Sequence, residues 1–149
     1  MGDRGVIAIT TEPHTPALQI TTHWGGADIA DAAEFALRHA QPRWTDPTYC
    51  PRILVQAALQ HLGADIHNPL EHGLAIGGAC ETNRPVIVID IPNQRVAILG
   101  LLEYLEATDG LNTGNWNLTE SLSFEAASQP GALHRWFTTG EVPQPQPGS

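Results

Sequence analysis

The segment Pro85-Val86-Ile87-Val88-Ile89-Asp90-Ile91, closed by Pro92, constrains the fold more than any other part of the chain. Its apolar residues do not alternate with polar ones. A strand built from it has no face to give to water and belongs in the centre of a covered sheet. Pro92-Asn93 supplies a turn, and Arg95-Val96-Ala97-Ile98-Leu99 runs back beside it. Residues 5–12 (GVIAITTE) and 17–24 (ALQITTHW) read as a second hairpin joined by Pro13-His14-Thr15-Pro16. Residues 73–79 (GLAIGGA) make a small strand between glycines.

Helices fill the intervals. Asp28 caps a helix that runs to about residue 41 and stops at Pro42, with Ile29, Ala33, Ala36, Leu37 and Ala40 as its buried stripe. A second helix starts near Pro51 and ends at Gly63; Arg52, Gln56 and Gln60 form a narrow polar face, so most of it is expected to be buried. Residues 100–107 make a short helix, with one continuous helix from Arg95 to Ala107 as the competing reading; residues 108–120 are turn-rich, and Ser123 caps a helix entered at Phe124. Pro130 starts another, and its Leu133, Trp136 and Phe137 read as a self-association face at the end of a filled core. The ββααββα order predicts an α+β fold: an antiparallel sheet built from two hairpins and covered by two to four helices. One globular domain is expected over residues 1–140, followed at 141–149 by a disordered Pro/Gln tail.

Charge limits the partners. Seven basic residues, all arginine, stand against 16 acidic ones, a net charge of −9. That excludes general binding along a nucleic-acid backbone, which needs clustered cations. The absence of lysine points to a GC-rich genome. No apolar run reaches the roughly 20 residues of a membrane span, and the N-terminus has no signal-peptide pattern. A cytoplasmic protein with Cys50 and Cys80 as reduced thiols is the expectation.

Two stretches carry ligand-binding chemistry. His23-Trp24-Gly25-Gly26 joins a strand to a helix N-terminus, where backbone amides favour an anion and Trp24 offers a ring to stack on. The competing reading is a tight turn with Asp28 already in the anion position. Arg43 to Arg52 interleaves arginine with Trp44 and Tyr49, so Trp44, Tyr49 and Arg52 can combine ion pairing with stacking, or else simply pack. A third cluster, Asp65, His67, Glu71 and His72 with His61 nearby, has metal-ligand residue types but irregular spacing, and no metal or other cofactor is expected there. No serine stands in a nucleophile elbow, and Asp90 is expected to pair with an arginine.

Taken in order, the His23-Trp24-Gly25-Gly26 turn, Arg52-Ile53-Leu54, Gly73-Leu74-Ala75-Ile76 and Ser123-Phe124-Glu125 resemble a set of small proteins from actinobacteria and their phages. Those proteins have no assigned activity. The resemblance covers about residues 5–127 and implies one compact domain; Gly25 stands where the set has Asp, and His72 where it has Thr.

These features lead to non-catalytic binding of a small anionic, nucleotide-like ligand by a homo-oligomer, through His23, Trp24, Gly25, Gly26, Trp44, Tyr49 and Arg52. In a phage-encoded protein this would serve sequestration. The alternatives are an acidic protein-interaction or inhibitor module and a metal-dependent hydrolase using the His-rich loop.

Overall fold

In the computed structural model, which describes residues 2–13, 15–108 and 120–143, strand β4 (Val86–Asp90) is buried along its whole length. It lies inside a six-stranded sheet of order β3-β2-β1-β4-β5-β6. The other strands are β1 (Gly5–Thr10), β2 (Leu18–Thr22), β3 (His72–Ile76), β5 (Arg95–Leu99) and β6 (Leu122–Ser123). Helices α1 (Ile29–Ala40), α2 (Tyr49–His61), α3 (Leu101–Thr108), α4 (Phe124–Ala127) and α5 (Ala132–Thr139) complete the α+β fold.

The sheet is mostly antiparallel, but it is mixed. β1 pairs antiparallel with β2, as do β2 with β3, β4 with β5 and β5 with β6. The expected wholly antiparallel sheet is corrected at its centre, where β1 and β4 run parallel from Ile7↔Ile87 to Thr10↔Asp90. Two fully buried strands each need a neighbour on either side, and β1 and β4 satisfy each other. The excursion through β2, α1, α2 and β3 supplies the long crossover that a parallel pair requires.

Side chains alternate between two cores. Ile7, Ile9, Ile20, Ile87, Ile89 and Val96 pack with buried residues of α1, α2, α4 and α5. Val6, Ala8, Val86, Val88, Ala97 and Leu99 face the other way and are covered by Tyr104 of α3 and by Cys80. A polar hub pins this second cover. Gln19, fully buried, donates through Nε2 to the carbonyls of Gly77 (3.0 Å) and Gly78 (2.8 Å). Tyr104 donates its hydroxyl to Gln19 Oε1 and accepts the Cys80 amide at 2.7 Å.

α1 presents Ala30, Ala32, Ala33, Ala36 and Ala40 to the core, which brings the helix close to its neighbours. α2 buries only Cys50, Leu54, Ala57 and Ala58, an ordinary i, i+4, i+7, i+8 stripe. It is therefore more exposed than expected, because it lies on α1 rather than between layers. Leu133, Trp136 and Phe137 of α5 are buried in the main core, which corrects their reading as a self-association face. Glu34 of α1 fixes this docking: its Oε1 accepts the Gly131 amide at 2.6 Å, while Oε2 meets Arg38 at 2.9 Å.

Ser123 caps α4 by accepting the Ala126 amide at 3.1 Å. Asp90 does not pair with an arginine; its two oxygens accept the Asn93 amide (3.2 Å) and side chain (2.9 Å), closing the turn into β5. Val142 packs on the main core, so the packed chain continues past Gly140, while residues 144–149 of the expected tail lie outside the described residues. The turn-rich stretch at 109–119 lies outside them as well. No described helix is long and apolar enough to cross a membrane.

Candidate functional site

The glycine turn between β2 and α1 already holds an anion, and it belongs to the chain itself. The Ala27 amide donates to Asp3 Oδ2 at 3.1 Å and the Gly26 amide to the Asp3 carbonyl at 2.7 Å. The Gly25 amide donates to Thr22 Oγ1 at 3.0 Å, and the Asp28 amide to the Gly25 carbonyl at 2.9 Å. Asp28, expected to cap α1 with its carboxylate, makes no side-chain cap bond. Asp3 instead accepts an amide of the turn that precedes α1, and it is gripped by Arg84, Nε to Oδ1 at 2.6 Å and Nη2 to Oδ2 at 3.0 Å. The Arg84 hydrogen bond holds the Asp3 carboxyl below its usual range, against a smaller opposing effect of burial. Gly26 is glycine because a Cβ there would come within 2.6–2.9 Å of Asp3 and the Arg4 carbonyl. The close approach it permits is by Asp3 and Arg4 of the same chain.

The Arg43–Arg52 stretch is similarly occupied. Asp46 Oδ1 accepts the Thr48 and Tyr49 amides, both at 2.9 Å, and these amides hold its carboxyl below the usual range. Trp44 donates from Nε1 to the Leu37 carbonyl at 2.9 Å and meets Phe124 edge-on. Arg43 lies 5.4 Å from the centre of the exposed Tyr49 ring, and Arg52 donates to Gln56 Oε1. The two expected halves of the ligand site do not meet. His23 and Trp24 stand at the start of α1 and Trp44, Tyr49 and Arg52 beyond its end, separated by a helix about 18 Å long.

The His-rich loop gathers no group of three or more metal-ligating side chains among the described residues. Asp65 accepts the His67 amide at 2.9 Å instead. Burial, with Asp46 nearby, pushes the Cys50 thiol up to about 11, and burial raises that of Cys80.

One cleft draws parts of two sequence motifs together. The His23 amide donates to the Glu71 carbonyl at 2.9 Å, extending the β2–β3 ladder past Thr22↔His72. At that end of the ladder, Arg4, Thr21, His23, Glu71, His72 and Glu81 line a cleft of about 340 Å³. Gly73 forms part of its lining, and a Cβ there would stand 2.7 Å from Thr21 Oγ1. Arg4 is anchored by its backbone to Asn83 and pairs with Glu81, whose side chain is 80% exposed. Both ring nitrogens of His72 are buried without a hydrogen-bond partner. Trp24 is 57% exposed beside the cleft and packs edge-on against His23. Of the expected ligand residues only His23 lines this cleft. Arg4, Thr21 and Glu81 carry no local motif; the strand register assembles them.

Comparison with protein-family models, curated proteins and solved structures finds no match to this chain.

Proposed function

We propose that the chain is a non-catalytic binding protein that holds a small nucleotide-like ligand in the cleft at the end of the β2–β3 ladder. The observation that carries this reading is His72. A buried polar group without a partner costs about 1–3 kcal/mol, and a ligand that hydrogen-bonds to the ring removes that penalty. Arg4 supplies the cleft's cation. Its pair with the exposed Glu81 is worth about 1 kcal/mol or less, so a ligand anion can take the place of Glu81. Trp24 offers a ring face for a base, and Thr21 and His23 add hydrogen-bonding groups.

The test is titration of the protein with nucleosides and nucleotides, read by heat and by melting temperature. At least one nucleotide should raise the melting temperature of the wild type. Arg4→Ala should weaken that nucleotide about ten- to a hundredfold, the equivalent of about 1.5–3 kcal/mol, while Arg52→Ala leaves it unchanged. A panel that produces no shift, or equal losses in the two variants, removes the reading. The alternative of an acidic interaction module is favoured by one observation: α3 exposes Leu101, Leu102 and Leu105 on a chain of net charge −9. Salt-sensitive capture of a basic protein, lost on Leu102→Glu, is its test.

A further inference from the structure

The ends of β1, β2 and β3 set three polar residues in a row. β1 pairs with β2 as far as Gly5↔Thr22, and β2 with β3 as far as Thr22↔His72. One step further along both registers, Arg4 lies opposite His23 and His23 opposite Glu71. The His23 amide, bonded to the Glu71 carbonyl at 2.9 Å, fixes the second of these pairs. Alternation along each strand puts Arg4 on the face of Val6, His23 on that of Thr21 and Glu71 on that of Gly73. Val6↔Thr21 and Thr21↔Gly73 are themselves register pairs, so all three residues share one face. Neighbouring strands stand about 4.8 Å apart, which separates Arg4 from Glu71 by about 10 Å across the cleft.

The two ends of this row differ in chemistry. Arg4 is the cation of the cleft, and its present partner Glu81 is 80% exposed. Glu71 is half-buried, and among the described residues no hydrogen bond or ion pair holds its carboxylate. That sets it apart from Asp3, Asp46, Asp65 and Asp90, each of which accepts a backbone amide. A carboxylate only accepts, and its two oxygens suit two donors side by side.

We propose that Glu71 reads the base of the ligand and that this base is guanine, in a mononucleotide whose phosphate lies on Arg4. The inference rests on the nucleotide reading above and names what that site selects. Among the common bases guanine alone presents two adjacent N–H donors, a ring N–H and the exocyclic amino group beside it. Adenine sets one donor beside an acceptor nitrogen, which a carboxylate oxygen repels. The length of the row matches the span of a purine mononucleotide from phosphate to the far edge of the base. Charge limits the number of phosphates. The cleft sets one arginine against two glutamates, so each further phosphate adds repulsion with no second cation to offset it. Its volume of about 340 Å³ lies at the small end of ligand pockets, as a mononucleotide requires.

Titration calorimetry of the full chain with GMP, IMP and AMP tests this. IMP differs from GMP only in lacking the exocyclic amino group. GMP should bind about ten- to a hundredfold more tightly than IMP, the weight of one charge-assisted hydrogen bond, and AMP should bind weakest. Glu71→Gln sets a donor beside an acceptor, which fits adenine in place of guanine. The affinity ratio of AMP to GMP should then rise about tenfold or more, while the melting temperature of the free protein stays unchanged. The ratio isolates the base, because losing one negative charge strengthens every nucleotide alike. Equal wild-type affinities for GMP and AMP overturn the inference and leave the nucleotide reading standing. So does a ratio that Glu71→Gln does not move, or a panel in which other nucleotides bind and GMP does not. If no nucleotide binds, both fall together.

Discussion

Arg84 holds Asp3 through two hydrogen bonds, at 2.6 and 3.0 Å, across 81 residues of sequence. The same Asp3 carboxylate accepts the Ala27 amide, so one side chain joins the chain's start, the entry to β4 and the turn into α1.

The pair makes stability acid-sensitive in a defined direction. The carboxyl of Asp3 is held below its ordinary value of 3.8 in the folded state, chiefly by the Arg84 hydrogen bond. Its contribution is therefore complete above 3.8 and is lost as pH falls through the folded value. Asp3→Asn should be less stable than wild type at neutral pH, and the gap should narrow below pH 3.8. Urea unfolding at a series of pH values measures it. Asp46, also lowered, acts in the same direction and keeps some acid sensitivity in the variant.

Gly26→Ala should destabilise the protein by about 1–3 kcal/mol, the usual range for forcing an atom into filled space. The new methyl meets Asp3 and the Arg4 carbonyl, so the loss should be strongly non-additive with Asp3→Asn. A double-mutant cycle on unfolding free energies reads this directly; additive losses would mean that the methyl is accommodated elsewhere.

Tyr104→Phe keeps the ring and removes only the hydroxyl that links Gln19 to the Cys80 amide. Buried groups left without partners predict a loss of about 1–3 kcal/mol. Amide exchange should quicken at Cys80 ahead of the strands, because the hydroxyl secures the cover over the second core.

Trp136→Ala should cost about 3–5 kcal/mol in thermal or chemical unfolding, since Trp136 is only 4% exposed and closes the main core beside α1. Its effect belongs to the fold. At temperatures where the variant remains folded, its mass in light scattering should equal that of the wild type.

The central position of β4 was legible from the apolar run at 85–89, and the Ser123 cap from its place before Phe124. Local pattern reaches that far because burial on both faces and capping are decided by near neighbours. The parallel pairing of β1 and β4 was not legible, because it depends on the end of the sheet to which the chain returns after α1, α2 and β3. Asp3 was missed as the anion held by this turn for a similar reason: it reaches Ala27 from 24 residues away. Of the candidate site, His23 was read from its turn. Trp44 was selected for the same chemistry, yet its ring nitrogen serves the Leu37 carbonyl and its ring serves Phe124. Residue type alone does not separate a stacking platform from a core aromatic.

The parallel pairing also sets the order in which the chain can assemble. β1 can meet β2 as soon as residue 22 has emerged, whereas Ile7 meets Ile87 only after both long helices and β3 have emerged. Until then the far side of β1 has no partner, and the most apolar strand of the nascent chain stays open while the ribosome continues. Long-range closure of this kind slows folding. Synthesis of this protein thus passes through an interval in which its future centre is an exposed edge, and β4 ends it.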